Sequence, residues 1–366
     1  MVGPMKVTNE PADRHDSEPN WHDDFDATES GWRYADPDQL LGALQAGHGV
    51  GALRALKDPG AACLVHACIR TDHRWWQLID EREVYLARLV RDLRMDIAPI
   101  VRWLWTRDRA VSWTEQGAGF ELAAGVLEAL ARAGNAEAQA QLLRYVHTGR
   151  RWPHVLQLIA TRWPIERWAG LRDRVSERLS EDVYDPLWFG DEPWRTWAPG
   201  NQYSDRTADR FHPSCAARTA AGGVLPTGPD GVSLSDLLVM WKRKMHTCDW
   251  CGFVPLADAI AQRGPAAREA LPALRALWKL TPHSAERAAV LRAMLTIDPA
   301  GSRRTLAQGL WDCESGVRLL SAKHVPLGRR TEARLSALCR DPLENAEVRR
   351  VAADRLAGAR SRQLDG

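Results

Sequence analysis

The chain has 366 residues, of which 45% are hydrophobic and 26% charged, and its formal net charge is +2. This balance is ordinary for a globular protein and excludes a chain that is disordered throughout. No apolar run is long enough to span a membrane, and the N-terminus lacks the apolar core of a signal peptide. Because the seven cysteines are dispersed, the sequence predicts a cytoplasmic protein without a disulfide framework or a membrane partner.

Residues 1–36 come first and are polar, acidic and interrupted by prolines. Residues 1–38 contain ten acidic and three basic side chains, whereas residues 260–366 contain eleven acidic and nineteen basic ones. No apolar period of a strand or a helix runs through the first segment. We therefore expect residues 1–36 to form an acidic disordered tail, which is either simply solvated or folded back on a basic surface.

Residues 37–181 show apolar positions at helical spacing, and each apolar stretch ends at a glycine or a proline. No stretch alternates like a half-buried strand, and no hairpin turn joins two apolar runs. The sequence therefore predicts an all-α protein whose N-terminal helical repeats occupy residues 37–181. Beyond the first short unit, the predicted helical segments are 61–70, 81–93, 97–105, 120–133, 136–147, 154–162 and 165–179.

Residues 182–232 interrupt this pattern with a stretch rich in tryptophan, proline and glycine. Such a long irregular segment is uncommon in a compact fold and is typical of a functional or disordered loop. The sequence therefore predicts an irregular insertion that separates the first helical repeats from a second run over residues 233–366.

Three stretches of the second run align with one another, at residues 256–278, 314–325 and 344–358. The last two share a Val-Arg-x-x-(Ser/Ala)-Ala core that begins at Val317 and Val348. This pattern resembles the HEAT repeat family, and residues 263–272 resemble the junction between two HEAT helices. The resemblance implies an α-solenoid of antiparallel helix pairs and a binding scaffold more often than an enzyme. The family's second-helix pattern is matched by Glu347, Val348, Arg349, Ala352, Ala353 and Leu356.

Two short motifs have the residue types of a structural zinc site. His212 and Cys215 form a His-x-x-Cys motif, and Cys248 and Cys251 form a Cys-x-x-Cys motif. Together they would supply four ligands to a closed tetrahedral site. The alternative is that these are separate thiols and a surface histidine, in which case no cofactor is expected.

Tryptophan is unusually abundant, with 17 residues against ten Phe and Tyr combined. On the helical segments we interpret most of them as core residues, because each indole buries a large apolar area. In the insertion, Trp188, Trp194, Arg195 and Trp197 are candidates for a surface that anchors a partner, since Trp and Arg dominate interface hot spots. The first hypothesis is therefore a non-enzymatic scaffold that binds another protein.

Adjacent arginine pairs near the boundaries of the C-terminal units support a second hypothesis. If the units stack, these pairs would align into a basic edge that suits a phosphate backbone. The alternative is that they only keep the helices soluble. The candidate nucleic-acid contacts are Arg303, Arg304, Arg329, Arg330, Arg349 and Arg350.

Common catalytic motifs, among them phosphate-binding loops, zinc-protease helices and nucleophile elbows, are absent from the sequence. This favours a binding protein over an enzyme. The remaining enzymatic alternative is a DNA glycosylase-like protein with a tryptophan-lined cleft, for which Trp103, Trp105, Arg107 and Asp108 have suitable side chains. The pattern does not specify an oligomeric state.

Overall fold

The computed structural model describes residues 34–74, 80–108, 117–181, 192–197 and 232–364. Within these ranges the chain forms α-helices and short 3-10 turns and no β-strand. The all-α class expected from the sequence is therefore confirmed for the described residues. None of these helices is both long and apolar enough to cross a membrane. The acidic tail expected at residues 1–36 and most of the insertion expected at 182–232 lie outside the described residues.

The helices fall into two runs, which lie before and after residues 198–231. The first run ends in a four-residue helix at 194–197, inside the predicted insertion, so the prediction that this segment is irregular is wrong for these residues. The first run contains α1 (Leu40–Gln45), α2 (Gly49–Ala55), α3 (Ala61–Arg70), α4 (Arg82–Asp92), α5 (Ala98–Asp108), α6 (Gly117–Arg132), α7 (Ala136–Thr148), α8 (Trp152–Arg162), α9 (Arg172–Glu181) and α10 (Trp194–Trp197). The second run contains α11 (Leu234–His246), α12 (Phe253–Ala261), α13 (Leu271–Leu280), α14 (Ser284–Ile297), α15 (Arg303–Gly309), α16 (Ser315–His324), α17 (Arg329–Arg340) and α18 (Ala346–Leu364).

Helix α6 is the centre of the first core. Every residue from 122 to 131 is buried, and the helix packs against α3, α4, α5, α7 and α8. A helix that is apolar on all sides is stable only when other helices surround it. Its buried carboxylate, Glu128, accepts hydrogen bonds from Arg132 (2.6 Å), Arg162 (3.0 Å) and the indole nitrogen of Trp163 (3.0 Å). The charge in the middle of the core is therefore compensated.

The second run is built from successive helix pairs, α13 with α14, α15 with α16, and α17 with α18. The second helix of each pair also packs against the second helix of the next pair, and α12 packs against α14 in the same way. Val317 and Val348 are both buried between these helices, as their apolar side chains require. Alanine at positions such as Ala293, Ala322 and Ala352, all buried, lets the helix backbones approach closely.

The two runs meet directly, because the loop after α1 lies against the end of α15. The amide of Cys313 donates a hydrogen bond to the carbonyl of Gly47 (2.9 Å). The backbone of Gly47 has a positive φ of 71°. At Gly49 a Cβ atom would overlap the backbone carbonyl oxygen of Gln308. Glycine is therefore needed at both positions, once for its backbone conformation and once for the close approach of α2 to α15.

Buried ion pairs fill the junction between the two runs. Arg82 pairs with Asp80 through three side-chain hydrogen bonds and also donates to the carbonyl of Pro282 in the second run (2.7 Å). Burial alone would raise the pKa of Asp80, but the charge and hydrogen bonds of Arg82 lower it overall. Arg287 donates to Asp312 (2.7 Å) and to the carbonyl of Ala46 (3.1 Å).

A second set of buried charges continues this junction. Glu344 accepts hydrogen bonds from Arg88 of the first run (3.1 Å) and from Arg318 of the second (2.8 Å). Arg318 donates in turn to Glu81 (3.0 Å), and Arg88 donates to Asp341 (2.8 Å). Removing one member of such a network would leave an uncompensated charge in the interior, so these pairs require the two runs to stay together.

Candidate functional site

A turn of tryptophans stands on the surface of the first core. In α10, Trp194 and Trp197 are half-buried and Arg195 is exposed. The Trp197 ring packs edge-on against Trp194 and against Trp168, with 5.7 Å between ring centroids in both cases. Trp168 is itself buried. Both tryptophans of the turn therefore pack against the first core and stay partly exposed beside an exposed arginine.

Hydrogen bonds hold this turn in place. The amides of Thr196 and Trp197 donate to the carbonyl of Pro193, and the Thr196 hydroxyl donates to Glu192 (2.6 Å). The indole nitrogen of Trp168 donates to the carbonyl of Trp163 (3.2 Å), which orients the ring on which Trp197 rests. The indole nitrogen of Trp197 is buried and has no acceptor among the described residues.

Three of the four predicted anchor residues thus lie in a single turn, and the fourth, Trp188, lies outside the described residues. Half-buried indoles next to an exposed guanidinium are the side chains that interface hot spots use most often. Their role in binding stays a prediction.

The predicted zinc motif can be placed only in part. Cys248 and Cys251 lie in the loop between α11 and α12, and Cys248 has a positive φ of 51°. Lys244 holds this loop through Asp249 (2.6 Å) and the carbonyl of Cys251 (2.9 Å). His212 and Cys215 lie outside the described residues. Among the described residues no group of three or more His, Cys, Asp or Glu side chains is arranged to hold a metal.

The same loop contains a feature that sequence reasoning missed. Glu286, which is buried in the first turn of α14, accepts a hydrogen bond from the amide of Gly252 (2.9 Å). Burial raises the pKa of Glu286 to about 7, although hydrogen bonds from the amides of Gly252, Val254 and Phe253 oppose the shift. The carboxyl thus caps the N-terminus of α12 from a neighbouring helix. No local signal in the sequence links positions 34 residues apart.

The six predicted basic residues of the second run are all exposed, but they do not share one end of the stack. Arg303 and Arg329 begin α15 and α17, and their partners in the pairs follow directly. The carbonyl of Arg349 instead lies beside Cys339 (3.7 Å), near the other end of α17. At 1.5 Å rise per residue, the beginning of α17 and Cys339 are about 15 Å apart. The Arg349-Arg350 pair therefore lies away from the Arg329-Arg330 pair.

The residues considered for a glycosylase-like cleft lie at the end of α5, but the acid among them is already engaged. Asp108 is buried, and one of its oxygens accepts hydrogen bonds from the Tyr145 hydroxyl and from the amides of Arg150 and Arg151. This carboxylate therefore fixes the loop that leads into α8. Trp103, Trp105 and Arg107 remain partly exposed on the same helix.

Comparison with known proteins adds no assignment, since no family model, curated protein or solved structure matches this chain.

Proposed function

We propose that this chain is a non-enzymatic scaffold with a HEAT-like α-solenoid second half, and that it binds another protein through the tryptophan turn. The observation that carries the proposal is the placement of α10, where half-buried Trp194 and exposed Arg195 stand on a rigid base of Trp197 and buried Trp168. The tryptophan side chains lose little conformational entropy when a partner binds, because their rings are already ordered in the free protein. Successive helix pairs in the second run, stacked through α14, α16 and α18, support the solenoid part.

The test compares which proteins the intact chain captures from its own cell lysate when the turn is altered. Replacing exposed Arg195 by Glu and, separately, Trp194 by Ala should abolish recovery of the specific partner. Arg330→Glu serves as the matched control, because Arg330 is equally exposed but lies in α17. A parallel capture after nuclease treatment identifies proteins that are held only through nucleic acid.

Thermal unfolding of each variant distinguishes a lost interface from a lost fold. We expect Arg195→Glu to unfold within a few degrees of the parent protein, since exposed substitutions usually change stability by less than about 0.5 kcal/mol. If the captured proteins are the same for the parent and the turn variants, the turn is not the binding site and the proposal is wrong.

A further inference from the structure

A stripe of arginines and tryptophans crosses α5 on the surface of the first core, away from the tryptophan turn. The arginines come from three helices, α3, α5 and α7, and three of the four are exposed. We call this surface the arginine–tryptophan stripe, and its members are Arg70, Arg102, Trp103, Trp105, Arg107 and Arg144.

The helix itself explains how the stripe is arranged. Ile100, Leu104 and Asp108 face the core, so with 100° between successive residues Trp103 and Trp105 lie on opposite flanks of α5. Arg102 lies on the solvent side between the two flanks and is exposed. The stripe therefore runs across the helix from the end of α3 to α7.

Guanidinium groups lie over both indoles of the stripe. The guanidinium carbon of Arg107 is 4.4 Å from the Trp103 ring centroid, and that of Arg70 is 5.9 Å from the same ring. Arg144 lies 5.8 Å from the centroid of Trp105. The Trp105 ring is also held by Tyr145, with 4.8 Å between centroids. Cation–π contact thus orders long side chains that would otherwise be mobile.

The positive charge of the stripe is not compensated within the described residues. None of its four arginines forms an ion pair there, whereas Arg82, Arg287 and Arg318 in the junction are all paired with carboxylates. The nearby carboxylate of Asp108 is bonded instead to the amides of Arg150 and Arg151 before α8. Arg70 and Arg107 lie in the last turns of α3 and α5, where the helix dipole favours a cation and offsets their mutual repulsion.

Two donors within the stripe also lack acceptors. The Nε atom of Arg107 and the indole nitrogen of Trp103 are shielded from solvent and have no hydrogen-bond partner among the described residues. A donor that is buried without an acceptor loses its hydration and gains nothing in return. The Trp103 nitrogen faces the start of α6 near Gly119, so these two atoms belong to the packing of the stripe on the core, and its terminal guanidinium groups are the parts available to a ligand.

We infer that the arginine–tryptophan stripe binds the sugar–phosphate backbone of a single-stranded nucleic acid. Planar guanidinium groups match the geometry of phosphate oxygens and bind them with paired hydrogen bonds. Bases stack on guanidinium planes as well as on aromatic rings, so guanidinium groups held flat against indoles offer both phosphate contacts and a stacking surface, which is the combination that single-strand binding uses. An acidic protein segment would also satisfy the charges, and competition by poly-glutamate in the test below distinguishes the two occupants. The inference goes beyond the proposed function and concerns a different surface.

The test measures fluorescence anisotropy of a labelled oligothymidylate of about 20 nucleotides with the full-length protein, over a range of salt concentrations. If four phosphates are neutralised, the logarithm of the affinity should fall with the logarithm of salt with a slope of about −3. Arg102→Gln combined with Arg144→Gln should weaken binding at least about tenfold and reduce the slope by about 1.4. Both residues are exposed and unpaired among the described residues, so the fold should persist.

The matched control is Arg329→Gln combined with Arg330→Gln, which removes the same charge from two exposed arginines of α17. We expect this control to bind within about twofold of the parent protein. Three results would overturn the inference: no binding to the oligonucleotide at low salt, an equal loss in the control, or tighter binding to a duplex of the same length. Equal competition by poly-glutamate of matched charge would also overturn it, since the occupant would then be an acidic polypeptide.

Discussion

Arg287 and Asp312 form an ion pair (2.7 Å) in which both side chains are completely removed from solvent. The second oxygen of Asp312 is 4.0 Å from the Nδ1 atom of His48 in the first helical run. Because Arg287 also donates to the carbonyl of Ala46, the pair joins helices from both sides of the predicted insertion. Buried charged side chains, and not apolar contacts alone, therefore hold the two runs together, and substituting them should change the stability of the protein.

Replacing Asp312 by Asn should destabilise the protein by about 3–5 kcal/mol, because Arg287 would remain buried without a counter-charge. The free energy of unfolding in urea is the appropriate measurement. Asp258→Asn is the control, since Asp258 forms an exposed pair with Arg292 (3.0 Å) and such pairs contribute less than about 1 kcal/mol. Equal losses in the two variants would show that the buried pair does not hold the junction.

His48 should make the junction sensitive to acid. Burial, aided by the charge of Arg287, lowers the pKa of His48 to about 3. Between that value and the ordinary histidine pKa of about 6.5 the unfolded state binds more protons, so stability falls as the pH falls through this window. His48→Gln should remove part of this acid loss, by up to a few kcal/mol at about pH 4. Exposed His246→Gln is the control, and an equal effect of the two substitutions would contradict the assignment to His48.

Local patterns predicted the helices well where a glycine or proline marks a boundary. Pro59 and Gly60 precede the segment predicted at residues 61–70, which is α3, Ala61–Arg70, and Gly264 and Pro265 lie in the junction predicted at 263–272, between α12 and α13. The segment predicted at 165–179 instead begins with two 3-10 turns, and α9 starts only at Arg172. Trp168 explains the difference, because its ring is buried and its nitrogen bonds back to Trp163. The packing of this one side chain therefore decided where the helix begins, against the helical spacing of the apolar residues.

The environments of charged side chains were not predictable in the same way. Arg318 and Arg349 occupy equivalent positions in the two Val-Arg motifs, yet Arg318 is buried against Glu344 and Arg349 is exposed. The difference arises because Arg318 faces Glu81 of the first run, a contact between residues far apart in the chain. Similarly, the residue types of α5 were recognisable in the sequence, but the approach of Arg70 and Arg144 to its tryptophans depends on how α3 and α7 pack.

Gly49→Ala should separate the two runs locally. The added Cβ would overlap the carbonyl oxygen of Gln308, which is backbone and cannot move without shifting α15 away from α2. We expect a loss of about 1–3 kcal/mol or more, as for other overpacked contacts. Limited proteolysis and urea unfolding would detect it. Gly170→Ala is the control because a Cβ there meets nothing within 4 Å, so a similar loss in both variants would rule out the steric explanation.

Glu286→Gln should change the pH dependence of stability in the opposite direction to His48→Gln. Because the pKa of Glu286 is about 7 in the folded protein and about 4.3 in an unfolded chain, the folded state binds more protons between these values and stability falls as the pH rises. The glutamine amide in the variant keeps an acceptor for Gly252 without a charge to bury. The stability of the variant should therefore rise relative to that of the parent protein between about pH 5 and pH 8, by at most about 3 kcal/mol.

Urea unfolding of both proteins across this range measures the difference directly, and exposed Glu269→Gln provides the baseline. A difference that does not vary with pH would mean that Glu286 is ionised in the folded protein throughout this range, and that α12 is capped by a carboxylate.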